Sequence, residues 1–222
     1  MISSFQDHVQ KWENCERCPL CKTRQRVVLA RGKLPCAILF VGEAPGDAEN
    51  SIGQPFVGPA GHELNRILRR ALPGHIIVGP GVEETWVSDV PYAITNLVAC
   101  LPVDPWGDKS EPYDESIVAC APRLQEFIRI ADGLSIDGGN GISLRKPGKA
   151  VGPDRLKLIV CVGKLAREWL TPGYKHSIKL HREIPQISID HPAYLLRLNH
   201  AQRGLATRRA IVTLANATER LA

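Results

Sequence analysis

Four short apolar runs, residues 36–41, 93–98, 156–162 and 186–189, are rich in Val, Ile and Leu and show little polar alternation. A strand covered on both faces needs that pattern, so each is predicted to be a buried parallel strand. Elsewhere apolar positions return at spacings of three and four. Residues 60–72 put Leu64, Ile67, Leu68 and Leu72 on one face; residues 115–130 do so with Ile117, Val118, Leu124, Phe127 and Ile128. Residues 203–221 align Ala206, Ala210, Ile211, Leu214 and Leu221, and 164–170 is a shorter segment of the same kind. These are predicted helices. Strands alternating with helices predict an α/β layer fold on a parallel sheet, with right-handed crossovers.

Two stretches break the alternation. Residues 73–89 are rich in Gly and Pro and carry Glu83 and Glu84; residues 132–155 are glycine-rich with a basic patch of Arg145, Lys146 and Lys149. Predicted strands lie on both sides of each, so both read as surface loops or insertions rather than linkers. No fixed-period repeat is present, and the 222 residues read as one domain, 1–222, with residues 1–30 an N-terminal extension packed on it.

Composition narrows the class without naming it. With 44% apolar and 23% charged residues, disorder, collagen and coiled coil are excluded for the bulk of the chain. Lys plus Arg number 28 against 23 Asp plus Glu, a net +5 that permits a nucleic-acid partner without demanding one. No apolar run approaches the ~20 residues that span a bilayer, and residues 1–13 lack the apolar core of a secretory signal. A cytoplasmic protein that does not enter the membrane is expected.

In a reducing compartment the seven cysteines suggest metal ligation rather than disulfides. Cys36 and Cys161 sit inside apolar runs and read as buried small hydrophobes. Cys15-x-x-Cys18, followed by Pro19-Leu20-Cys21, has a spacing used by zinc, iron–sulfur and redox motifs alike. It lies in an extension rather than at a strand-to-helix turn, which weakens the redox reading. A cluster needs two more thiolates. Cys100, closing the second strand, and Cys120, on the following helix, are the natural partners, with Cys21 a bystander.

The first strand runs into Gly42-Glu43-Ala44-Pro45-Gly46, then Gly53-Gln54-Pro55-Phe56-Val57-Gly58. This is neither Gly-x-Gly-x-x-Gly nor a P-loop, so nucleotide hydrolysis is not indicated. What remains is either a tight structural turn or a backbone-rich loop at a strand's carboxyl end, where open α/β sheets place ligands. Phe56 reads as an exposed stacking platform. Asn96 either caps the second strand or reads a base edge that offers one donor and one acceptor. His191 ends the fourth strand and converges, in this reading, with Glu43 and Asn96 on one sheet edge. Gly163-Lys164 opens a helix and forms a ready anion site.

Taken in order, several of these motifs resemble those of the iron–sulfur uracil-DNA glycosylases, family 4 of that superfamily. They are Cys15-x-x-Cys18-Pro-Leu with Thr23-Arg24, Gly42-Glu43-Ala44-Pro45-Gly46, Gly53-Gln54-Pro55-Phe56-Val57-Gly58 with Ala60-Gly61, Thr95-Asn96, Cys100-x-Pro102, Cys120-x-Pro122-x-Leu124, Gly163-Lys164-x-Ala166, and His191-Pro192-Ala193 with Leu196-Arg197. The resemblance implies a three-layer α/β/α fold around a central, mostly parallel four-stranded sheet. It implies a [4Fe–4S] cluster on Cys15, Cys18, Cys100 and Cys120, structural in role, and DNA as partner, with the target nucleotide flipped out. By the same analogy Phe56 stacks on the base, Asn96 pairs with its edge, Glu49 lines the pocket where a thymine methyl would fall, and Lys164 and Arg197 approach phosphates. Gly42 and Ala44 belong to the substrate-facing loop.

Breaking an N-glycosidic bond leaves an oxocarbenium-like sugar and an anionic base, so the catalyst must hold that anion with preorganised donors. His191 and the amides of residues 42–46 are the candidates. Ala44 stands where better-studied relatives carry an Asp that positions water, which leaves Glu43 as the nearest group for that task. No lysine is placed as a Schiff-base nucleophile, so a monofunctional glycosylase acting on uracil or a modified pyrimidine is expected, and a monomer, because a flipped-base site needs a freely approachable face. Four departures stand out, among them Asn50 where the family has Asp, and long segments at 73–89 and 132–155. The stretch between Cys100 and Cys120, containing Trp106-Gly107-Asp108, is extended too. They leave open a hypermodified phage base as substrate in anti-phage defence, or a catalytically silent iron–sulfur DNA-binding module.

Overall fold

The computed structural model of the chain describes residues 5–79, 82–104, 106–134, 155–174, 177–219 and 221; the basic patch at Arg145, Lys146 and Lys149 lies outside them. Along the chain come α1 (Phe5–Trp12), β1 (Ala30–Gly32), β2 (Ile38–Gly42), α2 (Asp47–Ile52), α3 (Pro59–Ala71), β3 (Gly74–Gly79), β4 (Val82–Ser88) and β5 (Tyr92–Asn96). They are followed by α4 (Asp114–Ala131), β6 (Leu158–Val162), α5 (Lys164–Leu170), β7 (Gln186–Ile189), α6 (Pro192–Arg197) and α7 (His200–Glu219). All four predicted strands and all four predicted helices form, with boundaries moved by a few residues.

The central sheet has the order β1-β5-β2-β6-β7. Four of its strands are parallel, and β1 joins β5 antiparallel with Ala30 opposite Thr95. A fifth strand is therefore added to the four expected. Three residues that include Arg31 and Gly32 form no apolar run, so only pairing reveals β1. Residues 73–89, read as a loop, contain a separate hairpin in which β3 pairs antiparallel with β4, Ile76 opposite Trp86. Two β-prone stretches around a Gly- and Pro-rich turn are a hairpin signal, and here the Gly and Pro content masked it.

Burial on both faces explains the continuous apolar runs. Along β2, Leu39 and Val41 face one core with Leu97, Ile117, Leu124 and Phe127; Ile38 and Phe40 face the other with Leu64, Leu68, Leu195 and Leu214. Successive side chains of a strand point to opposite faces, so α4 and α5 cover one face while α3, α6 and α7 cover the other. This is the three-layer α/β/α arrangement. Cys36 and Cys161 are fully buried core thiols, both pushed up to about 12 by burial. Among the described residues no helix is long and apolar enough to cross a membrane.

Asp132, read as the start of an exposed insertion, is buried instead. Its carboxylate accepts from Arg182 Nε and Nη2, both at 2.8 Å, and from the Leu156 amide at 3.1 Å, with His181 Nε2 2.7 Å away. It ties the end of α4 to the entry of β6.

The N-terminal extension is anchored through Glu126 of α4. That carboxylate accepts from Trp12 Nε1 at 2.9 Å, lies 2.8 Å from His8 Nδ1, and is paired with Lys11. Helix α1, with no strong apolar run, was not predicted; burial of His8 and Trp12 against α4 stabilises it.

Candidate functional site

The four parallel strands end on one edge of the sheet, and each delivers a candidate residue there. Gly42 closes β2 and lies in register with Asn96, which closes β5. Gly163 follows β6, and His191 comes two residues after β7. The residues that sequence reasoning placed around 43–56, 96 and 191 do come together.

Asn96 is 1% exposed, and its Oδ1 has no hydrogen-bond partner. It is therefore no strand cap. A buried carbonyl without a donor is costly, and this one lies against Gly42 together with the Phe56 ring: a Cβ built at Gly42 would collide with Asn96 Oδ1 and stand 2.6 Å from Phe56 Cζ. Only glycine leaves that space open.

Phe56 is 5% exposed, so the expected exposed platform is a correction: the ring lies inside the edge, 5.8 Å from the His191 ring. Its φ of 54° is a left-handed conformation rare for a bulky residue, of the kind that persists where surrounding structure over-determines it. Arg31 supplies much of that determination. Its Nε donates to Pro55 O at 2.7 Å, and its Nη2 donates to Phe56 O at 3.2 Å and Asn65 Oδ1 at 3.1 Å. Gly61 lets the next helix approach the Phe56 carbonyl more closely than any side chain would allow.

His191 is the N-cap of α6. The Ala193 amide donates to its Nδ1 at 3.2 Å, so the neutral ring carries its proton on Nε2 and can donate there. Burial, with the nearby Arg197, lowers its pKa to about 4, so the ring is neutral at neutral pH. Glu43 sits beside it: both flank Gly163, whose φ of 103° and missing Cβ make room for the Glu43 carboxylate. Glu43 Oε1 accepts from the Leu165 amide at 3.1 Å, and burial raises the carboxyl above its usual range. The anion at the start of α5 is thus Glu43 itself. Lys164 projects outward toward Glu168 at 3.7 Å, and Arg197 is exposed.

Glu49 is spent on backbone. Its Oε1 accepts from Val57 and Gly58 amides, both at 2.8 Å, and Oε2 from Gly46 at 3.1 Å, which holds the 42–58 loop in shape and occupies one amide expected to face an anion. Ala44 is half-buried and packs against the core. Asn50 Oδ1 accepts from the Gln25 amide at 2.8 Å, an acceptor role the family's Asp would fill equally.

On the other side of β5 lies a hollow of about 380 Å³, including its open mouth, lined by Cys15, Cys18, Cys100 and Cys120 with apolar neighbours such as Leu20 and Val98. Cys21 is not among the lining residues. Among the described residues no three His, Cys, Asp or Glu side chains close on a single ion; four cysteine sulfurs bordering one hollow suit a cluster, whose ligands bind separate corners. Burial raises Cys18, and pushes Cys100 up to about 12. That cost falls away only when metal takes the thiolates. Arg24 Nη1 approaches Cys100 Sγ at 3.9 Å. Arg123, missed in the sequence, also lines the hollow. The signal was present: a charge three residues after Cys120 and one before Leu124 lies on the apolar face of its helix.

Residues 30–136 match the family model described as the uracil DNA glycosylase superfamily. A type-4 uracil-DNA glycosylase of Thermotoga maritima is 30% identical over 196 residues, covering 85% of this chain and 81% of that protein. Those of Saccharolobus solfataricus and Pyrobaculum aerophilum are 36% and 37% identical over 122 and 118 residues, covering 55% and 53% of this chain. The match spans about half the length of those two relatives, 47% and 51%.

Proposed function

The chain belongs to the type-4 uracil-DNA glycosylase family, and from that premise we propose that it is a monofunctional glycosylase that releases uracil from DNA by hydrolysis. The observation that carries this reading is the unpartnered, buried Asn96 Oδ1 beside Gly42 and Phe56. An acceptor held there suits the N3–H of a flipped uracil, which cytosine lacks, and the Phe56 ring offers the base a stacking face.

As the C1′–N1 bond breaks, its electron pair passes to the base and charge develops on O2. The neutral His191 donates from Nε2 to that oxygen, and Arg197 adds positive potential close by. A water oriented by the ionised Glu43 carboxylate adds to C1′ and passes its proton to that carboxylate, which returns it through solvent to the released uracil anion. Lys164 and Arg197 are assigned to phosphates on the rim. Cys15, Cys18, Cys100 and Cys120 would hold a [4Fe–4S] cluster, which would tie the N-terminal segment to the chain after β5 and to α4, away from the base.

An oligonucleotide with one uracil, incubated with the protein and then treated with alkali, should break at that position. No break above background on single or double strands rejects the reading, and a break only with a modified pyrimidine reassigns the substrate. The pH profile tests Glu43. Its carboxyl is raised, so kcat/KM is expected to fall as pH drops through a value above the usual glutamate range. In Glu43→Gln that acid limb should disappear, because the amide does not titrate. An unchanged limb removes Glu43 from the role.

A further inference from the structure

We infer that Arg123 is the internal counter-charge of the group held by the four cysteines, an inference that rests on the cluster reading above. Its side chain is among the largest fully buried in the protein, at 1% exposure. Nη1 donates to Thr95 Oγ1 at 2.9 Å, and Nη2 donates to the carbonyls of Asn96 at 2.6 Å and Leu97 at 2.9 Å. All three acceptors are neutral. They orient the guanidinium without compensating its charge, and its Nε finds no acceptor at all.

Arginine stays protonated inside proteins, so this is a permanent buried cation. A buried charge is sustained when something of opposite sign lies near it. Among the described residues no carboxylate pairs with Arg123. Glu126, one turn further along α4, is already engaged by His8, Lys11 and Trp12. What the Arg123 side chain does border is the cysteine-lined hollow. Four thiolates carry more negative charge than the iron–sulfide core they bind carries positive, so the loaded site is an anion. Two other arginines approach the site, but Arg17 is exposed and Arg24 only half-buried. Water screens those two; nothing screens Arg123. The same guanidinium holds the backbone of Asn96, so cluster and base reader share one support.

The test compares wild type, Arg123→Lys and Arg123→Gln, purified anaerobically, by iron and sulfide content and by the midpoint potential of the cluster in a titration followed by electron paramagnetic resonance. Reduction adds negative charge, so losing the cation should disfavour it: Arg123→Gln is expected at a lower potential, with Arg123→Lys near wild type. If Gln fails to load the cluster while Lys loads it, the charge requirement stands. Equal potentials in all three proteins, or loss of the cluster from Lys and Gln alike, would leave Arg123 a strut for the strand end and overturn the inference. Iron-free wild-type protein would instead strike the cluster reading itself, and this inference with it. None of these readouts depends on uracil release.

Discussion

Replacing His191 with alanine should slow uracil release by ~10²-fold or more, the usual cost of deleting one preorganised donor to a developing anion. The geometry allows a sharper form of the experiment. His191 also caps α6 by accepting from the Ala193 amide, and losing an N-cap costs about 0.5–2 kcal/mol. Alanine removes both the cap and the donor. Asparagine is as good a cap but too short to reach where Nε2 stands. His191→Asn should therefore keep a melting temperature near wild type while losing as much activity as His191→Ala. If His191→Asn retains the wild-type rate, the ring is only a cap and the anion is held by other groups.

Asp132→Ala should lower stability by about 3 kcal/mol, at the lower end of the range for breaking a buried ion pair. The lower end applies because Arg182 keeps 24% of its side chain exposed and regains some hydration. For a chain of this size that corresponds to a fall in Tm of roughly 6–12 °C, measurable by calorimetry. The pH dependence has a fixed sign. Arg182 and His181 overcome the effect of burial and hold the Asp132 carboxyl well below the usual range. A carboxylate depressed in the folded state stabilises fully above its unfolded pKa of about 3.9. That stabilisation is lost as pH falls further, so the wild type and Asp132→Ala should converge in stability in strong acid. A constant difference down to that range would show that the residue contributes by packing alone.

These two residues differ in how visible they are from sequence. His191 sits directly after an apolar run, beside Pro192, and its convergence with Glu43 and Asn96 follows from the rule that parallel strands present ligand groups at their carboxyl ends. Asp132 stands in a glycine-rich stretch that reads as loop. Its burial depends on Arg182, fifty positions away, and on Leu156 across the insertion. Phe56 is an intermediate case. Its neighbours Pro55 and Gly58 suggest a loop and an exposed ring, whereas Arg31 and Gly61 draw it inward.

Local pattern alone settled the parallel strands, the helices that cover them, the ends from which Gly42, Asn96 and His191 emerge, and the assignment of Cys36 and Cys161 to the core. Those features depend on the period of apolar residues and on chain direction, both written in consecutive positions. Folding in three dimensions decided what those residues face: an Asn96 carbonyl without a donor, a His191 proton on Nε2, a Glu49 carboxylate consumed by amides, and a buried Arg123 beside four thiols. Hydrogen-bond partners and desolvation are set by groups distant along the chain, so no window of neighbouring residues contains them.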